Sequence, residues 1–173
     1  MAYAFCLRLD AETEAAVATL WRALATGGAG DDMVRLGYAP HVSLAVLDDE
    51  PLRSAVDAAL AILRGDADFG VQIGGAGRFE GTSIVWLSVE GSALAGLHRR
   101  LLGQLPVDQV RAHYRAGAWV PHVTLQIMGD AKRALAIARE RWPVGRAARV
   151  VGLELVRFPP IQVLDRIALG GAD

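Results

Sequence analysis

The phrase Pro40-His41-Val42-Ser43-Leu44 returns as Pro121-His122-Val123-Thr124-Leu125, 81 residues later (122 − 41), in a chain of 173 residues with four histidines. Each phrase is short and carries β-branched residues, the composition of a strand, and successive side chains of a strand point to opposite faces. His41 and Ser43 therefore share one face while Val42 and Leu44 share the other, and His122 and Thr124 repeat that division. Such a strand buries Val and Leu in a core and holds an imidazole beside a hydroxyl on an open surface. Two of them facing across a cleft would supply two acid/base groups and two hydrogen-bond donors, a set suited to a phosphate ester.

The rest of the chain supplies a frame for these strands. Tyr3 to Leu9 reads as a strand with Tyr3, Phe5, Leu7 and Leu9 on one face. Asp10 then caps a helix to about Ala25, with Val17, Leu20, Trp21 and Leu24 at buried spacing. A flexible Gly27–Asp32 loop, placed to gate the site, leads to the first motif strand. Asp49 and Pro51 open a helix through about Leu63, with Leu52, Val56, Leu60 and Leu63 at helical spacing. Phe69–Ile73 and Ser83–Val89 read as a hairpin whose connection holds Gly74, Gly75 and Gly77. That glycine run is a turn, since no phosphate-binding glycine pattern opens a helix there. A helix over 92–105, a polar connection over 107–117, the second motif strand, a helix over 131–141 and two strands, 148–157 and 161–169, complete the order. Helices mixed with hairpins favour an α+β protein with antiparallel sheets. The order also contains an inexact duplication, so the expected architecture is bilobal: a single two-lobed domain over residues 1–173, with two antiparallel β-sheets, flanking helices and a central cleft to which each half gives one motif.

Composition limits the partners. The formal net charge is −1, and 53% of residues are hydrophobic, enough for a core but without the clustered positive charge that grips long nucleic acid. Lys132 is the only lysine, so nearly every cation is an arginine, a side chain able to hold a phosphate by two hydrogen bonds. The single cysteine, Cys6, excludes an internal disulfide and reads as a buried strand residue. The apolar stretch from Ala2 to Leu7 is short and lacks a basic leader, and no run reaches the ~18 uninterrupted apolar residues of a membrane span, so a cytoplasmic protein without membrane association is expected.

The paired His-x-[Ser/Thr] motifs and their separation, the run Ile84-Val85-Trp86-Leu87-Ser88-Val89 and the Leu-rich helix after it resemble the two-histidine phosphoesterase superfamily. Its members include RNA 2′,3′-cyclic phosphodiesterases, also called 2′-5′ RNA ligases, and the resemblance covers most of the chain. It implies a bilobal α+β fold with a central cleft, His41 and His122 as catalytic residues, and Ser43 and Thr124 as phosphate contacts. It also implies His122 as base and His41 as acid in one direction, with the roles exchanged in reverse. The chain departs from the RNA-ligase branch in two places. Ala45-Val46-Leu47-Asp48-Asp49 replaces an aromatic-Leu-Gly ending, and Gln126-Ile127-Met128 lacks an Arg just after the second motif.

On this reading one neutral imidazole deprotonates water as it attacks phosphorus and the other, protonated, serves the departing ribose oxygen. An ordinary histidine value near 6.5 lets both forms coexist at neutral pH. With no His-x-x-x-His and no Cys or carboxylate cluster at ligand spacing, no metal or other cofactor is expected. The expected partner is a nucleotide cyclic phosphate or an RNA end, including 2′-5′ linkages and the reverse, ligase direction, handled by a monomer with no obligate protein partner. The rival is a non-catalytic RNA-end or nucleotide-binding protein that keeps the cleft. Tyr114 and Arg115, in the loop before the second motif, are candidates to stack a base and meet a phosphate, with His113 beside them. Arg8 is a further candidate to point at the cleft. His98, beside Arg99 and Arg100, reads as part of a solvated helix face, and Trp86 and Trp119 read as core.

Overall fold

The computed structural model describes residues 1–62, 64 and 67–170. Among the described residues there are seven strands: β1 Ala2–Leu9, β2 His41–Leu47, β3 Phe69–Arg78, β4 Val85–Glu90, β5 His122–Gln126, β6 Arg146–Phe158 and β7 Gln162–Ala168. The α-helices among the same residues are α1 Ala11–Thr26, α2 Asp32–Leu36, α3 Arg53–Ala61, α4 Ser92–Leu102 and α5 Ala131–Arg141.

The mixed helix and strand class and the antiparallel pairing agree with the sequence. The strands, however, join in one sheet ordered β1-β2-β5-β4-β3-β6-β7 that a further β1–β6 pairing closes into a ring. Two features make one ring where two sheets were expected. Strand β6 is 13 residues long, and one of its edges pairs with β3 over Arg146–Val150 and then with β7 over Gly152–Arg157. Its other edge pairs with β1 over Val150–Phe158. On the far side of the ring, Val42 of β2 pairs with Val123 of β5. The two motif strands are thus neighbours in one wall and do not face each other across a gap.

The main core fills the ring and the space under the helices. Phe5, Leu7, Leu44, Leu87, Val123 and Leu153 all lie in it and are buried. Helix α1 starts at the Asp10 cap, whose side chain accepts from the Thr13 amide at 2.9 Å, and it buries the stripe read from the sequence, Val17, Leu20, Trp21 and Leu24. In α3, Val56 and Leu60 are buried, but Leu52 is the exposed residue before the helix, and Leu63 lies outside the described residues.

Two connections differ from expectation. Gly74 and Gly77 belong to β3, where the register shifts between Ile73 and Ala76. A Cβ on Gly77 would stand 2.3 Å from the Trp86 ring, so glycine is what lets the indole lie across the strand; the turn itself is further on, over 79–84. The loop expected to gate the site is instead tied down. It runs into α2, the Ala29 carbonyl accepts from the Asp130 amide at 2.8 Å, and the Asp32 carboxylate accepts from the Ile127 amide at 2.7 Å. Gly129, at φ +128°, passes so close that a Cβ there would meet the Ala29 carbonyl at 2.2 Å.

Candidate active site

A cleft of about 660 Å³ opens where β2 and β5 meet, and His41, Ser43, His122 and Thr124 all line it. Antiparallel pairing about Val42 and Val123 sets His41 across from Thr124 and Ser43 across from His122 on the same face. The four side chains named from the sequence thus form one group in which each imidazole faces the other strand's hydroxyl.

Each motif strand carries a bulge at the same place. Leu44 is the extra residue where β2 pairs with β1, between the Ser43–Cys6 and Ala45–Phe5 pairs. Leu125 is the extra residue where β5 pairs with β4, between the Thr124–Trp86 and Gln126–Val85 pairs. A bulge bends a strand and re-aims the side chains beside it. Both bends are braced by an indole: the Trp119 N–H donates to the Ser43 carbonyl at 2.9 Å, and the Trp21 N–H donates to the Thr124 carbonyl at 3.0 Å.

The imidazoles are held alike as well. Nδ1 of His41 donates to the Ala39 carbonyl at 2.8 Å, and Nδ1 of His122 donates to the Val120 carbonyl at 2.7 Å. This fixes the tautomer and leaves Nε2 of each as the nitrogen able to take or give a proton. Aromatic rings flank both: Tyr38 lies 4.8 Å from His41, and Phe79 meets His122 edge-on at 5.1 Å with Trp86 at 6.4 Å. Burial pushes the His41 value down to about 4, with the Ala39 bond opposing and the charges of His122 and Arg8 adding to the fall. Burial also lowers His122, against the Val120 bond and helped by His113.

The loop before β5 lies over the cleft. Tyr114 lines it and is half-buried. Arg115 is not brought there: its guanidinium donates to the carbonyls of Val110 at 2.8 Å and Asp108 at 3.0 Å. Arg111 takes the place at the rim, bonded to Asp48 at 2.9 and 2.6 Å. Arg8 lies 5.9 Å from the Tyr38 ring and is held by Glu14 at 2.7 Å and by the buried Glu154 at 2.8 Å. Glu154 also accepts from the Tyr38 hydroxyl.

His98 overturns its reading as a surface residue. It is buried, donates to the Tyr114 carbonyl at 2.9 Å and stacks on Trp119 with ring centres 4.0 Å apart. Trp119 itself is half-buried at the cleft edge, and Cys6 is buried beneath Ser43, its Sγ 3.9 Å from the hydroxyl. Sequence reasoning misses Tyr38, Phe79 and Arg111. Of these only Tyr38 carries a usable signal, its position just before the first motif. Among the described residues no group of three His, Cys, Asp or Glu side chains could hold a metal ion, and no helix is long and apolar enough to cross a membrane.

A family model for the 2′-5′ RNA ligase superfamily matches residues 7–158, and the chain belongs to that superfamily. Among solved structures, TT0787 of Thermus thermophilus is similar with a TM-score of 0.65 at 21% identity, covering 100% of both chains. E. coli LigT in complex with NADP+ gives 0.62 at 21% identity over 98% of this chain and 97% of the other. Usb1 of Kluyveromyces marxianus gives 0.52 at 15% identity, again over 98% and 97%. At these identities the likeness is one of fold. No curated protein sequence matches the chain. Membership of the superfamily supports a phosphoesterase or RNA ligase-like function.

Proposed function

We propose that the protein is a phosphodiesterase that opens 2′,3′-cyclic phosphates of nucleotides or RNA ends, with His41 and His122 as the acid/base pair and Ser43 and Thr124 as donors to the phosphate. The observation that carries this reading is the repeated anchoring of the two imidazoles, each tied through Nδ1 to the carbonyl two residues before it. Two groups able to exchange a proton at Nε2, set beside two hydroxyls, match the needs of in-line attack at phosphorus. One Nε2 takes a proton from water as its oxygen bonds to phosphorus. The other gives its proton to the ribose oxygen as that P–O bond breaks, and a phosphomonoester results. The hydroxyls stabilise charge gathering on the non-bridging oxygens.

The lowered histidine values leave both imidazoles neutral in the free protein near pH 7. An anionic phosphate favours the imidazolium beside it, so the substrate itself readies the acid. In 2′-5′ ligation a 5′-hydroxyl takes the place of water: its oxygen bonds to phosphorus as the ribose P–O bond breaks, and the same two imidazoles take and give the proton.

The test is turnover of the four nucleoside 2′,3′-cyclic phosphates in EDTA by wild type, His41→Ala and His122→Ala, with binding followed by calorimetry. A fall of ~100-fold or more in kcat for each variant, with binding retained, is expected. Binding without turnover by the wild type would convert the reading to that of a nucleotide-binding protein.

A further inference from the structure

The charge and the shape of the cleft narrow the substrate beyond its reacting bond. Among the described residues that line it there is no Asp or Glu, and Arg111 is the one Arg or Lys. Arg111 is already matched by Asp48 through two hydrogen bonds to one carboxylate oxygen. Behind the wall, Arg8 and Arg166 are matched against Glu14 and Glu154, and Arg115 is spent on backbone carbonyls. What remains to meet an anion at the reacting position is His41, His122 and the hydroxyls, with His113 in the loop over the cleft. That set suits one phosphodiester charge. A second phosphate drawn into this space would lose its water without gaining an unmatched Arg or Lys among the described lining residues, which weakens its binding.

The half of the cleft beyond His41 is apolar. Strands β2, β1 and β6 lie side by side there, and on the face that carries Ser43 they present Ala4, Cys6, Val46 and Val156, with the buried Glu154 across from Cys6. Ala4, Cys6 and Val156 form the floor, and Tyr38, Phe158 and Ile161 pack around it. This cluster is separate from the main core and opens to the cleft. It is also continuous with the reacting position, because Cys6 pairs with Ser43 in the β1–β2 register. A phosphate held at Ser43 would have this floor beside it. The polar tip of Tyr38 is already used, its hydroxyl donating to Glu154. The floor thus offers a flat group contact area in preference to hydrogen bonds. The cleft as a whole, about 660 Å³, is the size that holds one small ligand, roughly 300–1,000 Å³.

We infer that the substrate is a single nucleoside carrying one cyclic phosphodiester charge, its base seated on the apolar floor, and not a phosphorylated nucleotide or an RNA chain. This rests on the phosphoesterase reading above and narrows it.

The experiment compares kcat/KM of the wild type for adenosine 2′,3′-cyclic phosphate, for the same compound carrying a 5′-phosphate, and for a short RNA ending in a 2′,3′-cyclic phosphate. The nucleoside is expected to lead by tenfold or more, through KM. Phe158→Ala is then tested on adenosine 2′,3′-cyclic phosphate and on glycerol 1,2-cyclic phosphate, which has no base. KM is expected to rise at least fivefold for the first and to stay within twofold for the second. Equal or better turnover of the 5′-phosphorylated compound or the RNA would overturn the inference and leave the phosphoesterase reading standing, as would equal effects of Phe158→Ala on both small substrates. No turnover of any member would overturn both.

Discussion

His41 and His122 share a sequence context, and they also share a hydrogen bond to the carbonyl two residues back and a lowered pKa. Their proton affinities carry a direct kinetic consequence. In the free protein both protonated forms are disfavoured, so the alkaline limb of kcat/KM should fall from below pH 6.5. A bound anion raises the acid's value, so the alkaline limb of kcat should lie at higher pH. Coincident limbs in the two pH profiles would remove the substrate-assisted step. Stability follows the same shift. The unfolded His41 takes its proton near 6.5 and the folded one only near 4, so its contribution is present above pH 6.5 and is lost as the pH falls through about 4. Urea denaturation between pH 7 and 4 should show a smaller loss for His41→Gln than for wild type.

Residue chemistry is legible in the sequence where a side chain acts on its own strand, and not where its role depends on distant neighbours. The four motif side chains can be found because alternation alone puts them on one face. His98 reads as solvated beside Arg99 and Arg100, although its spacing from Leu94 and Leu102 sets it on the buried stripe of α4. Arg115 has only its rank in a loop to suggest a role, and the carbonyls that claim it have no signature in the chain.

At the scale of the element, the bulges at Leu44 and Leu125 and their two indoles are the devices that aim the motif side chains. Periodicity locates both strands but cannot show the bulges, because a bulge is defined by the partner strand. Trp119→Phe keeps the ring that stacks on His98 and removes the N–H that satisfies the Ser43 carbonyl. A loss of about 1–3 kcal/mol in unfolding free energy is expected, together with a fall in kcat greater than the change in KM. Unchanged denaturation and kinetics would show that the brace is idle. The glycines of β3 resemble a turn for the same reason: their role, to admit Trp86 and Ser88 from β4, belongs to the pairing and not to the run itself. Gly77→Ala should cost about 1–3 kcal/mol by overpacking, measured by thermal or urea unfolding.

For the molecule as a whole, element order and antiparallel pairing are readable from the chain, and closure of the ring is not. Closure depends on the length of β6 and on one pair, Val42 with Val123, neither of which a local pattern specifies. Strands β1 and β6 have neighbours on both edges, so the amides of Phe5–Leu7 and Leu153–Leu155 should exchange hydrogen only on global unfolding. The short 3-10 turn Ala112–Tyr114 over the cleft should exchange sooner. Equal rates would mean that the ring is not the stable unit.

The central claim is that the two histidines act together on one phosphodiester. It is tested most directly by following adenosine 2′,3′-cyclic phosphate by phosphorus NMR with wild type and with His41→Ala/His122→Ala, both first shown to be folded. Wild type is expected to convert it to a single phosphomonoester isomer, because the fixed imidazoles allow one leaving oxygen, and the double variant to show no conversion above background. Conversion that survives loss of both histidines, or an inert wild type, would contradict the claim.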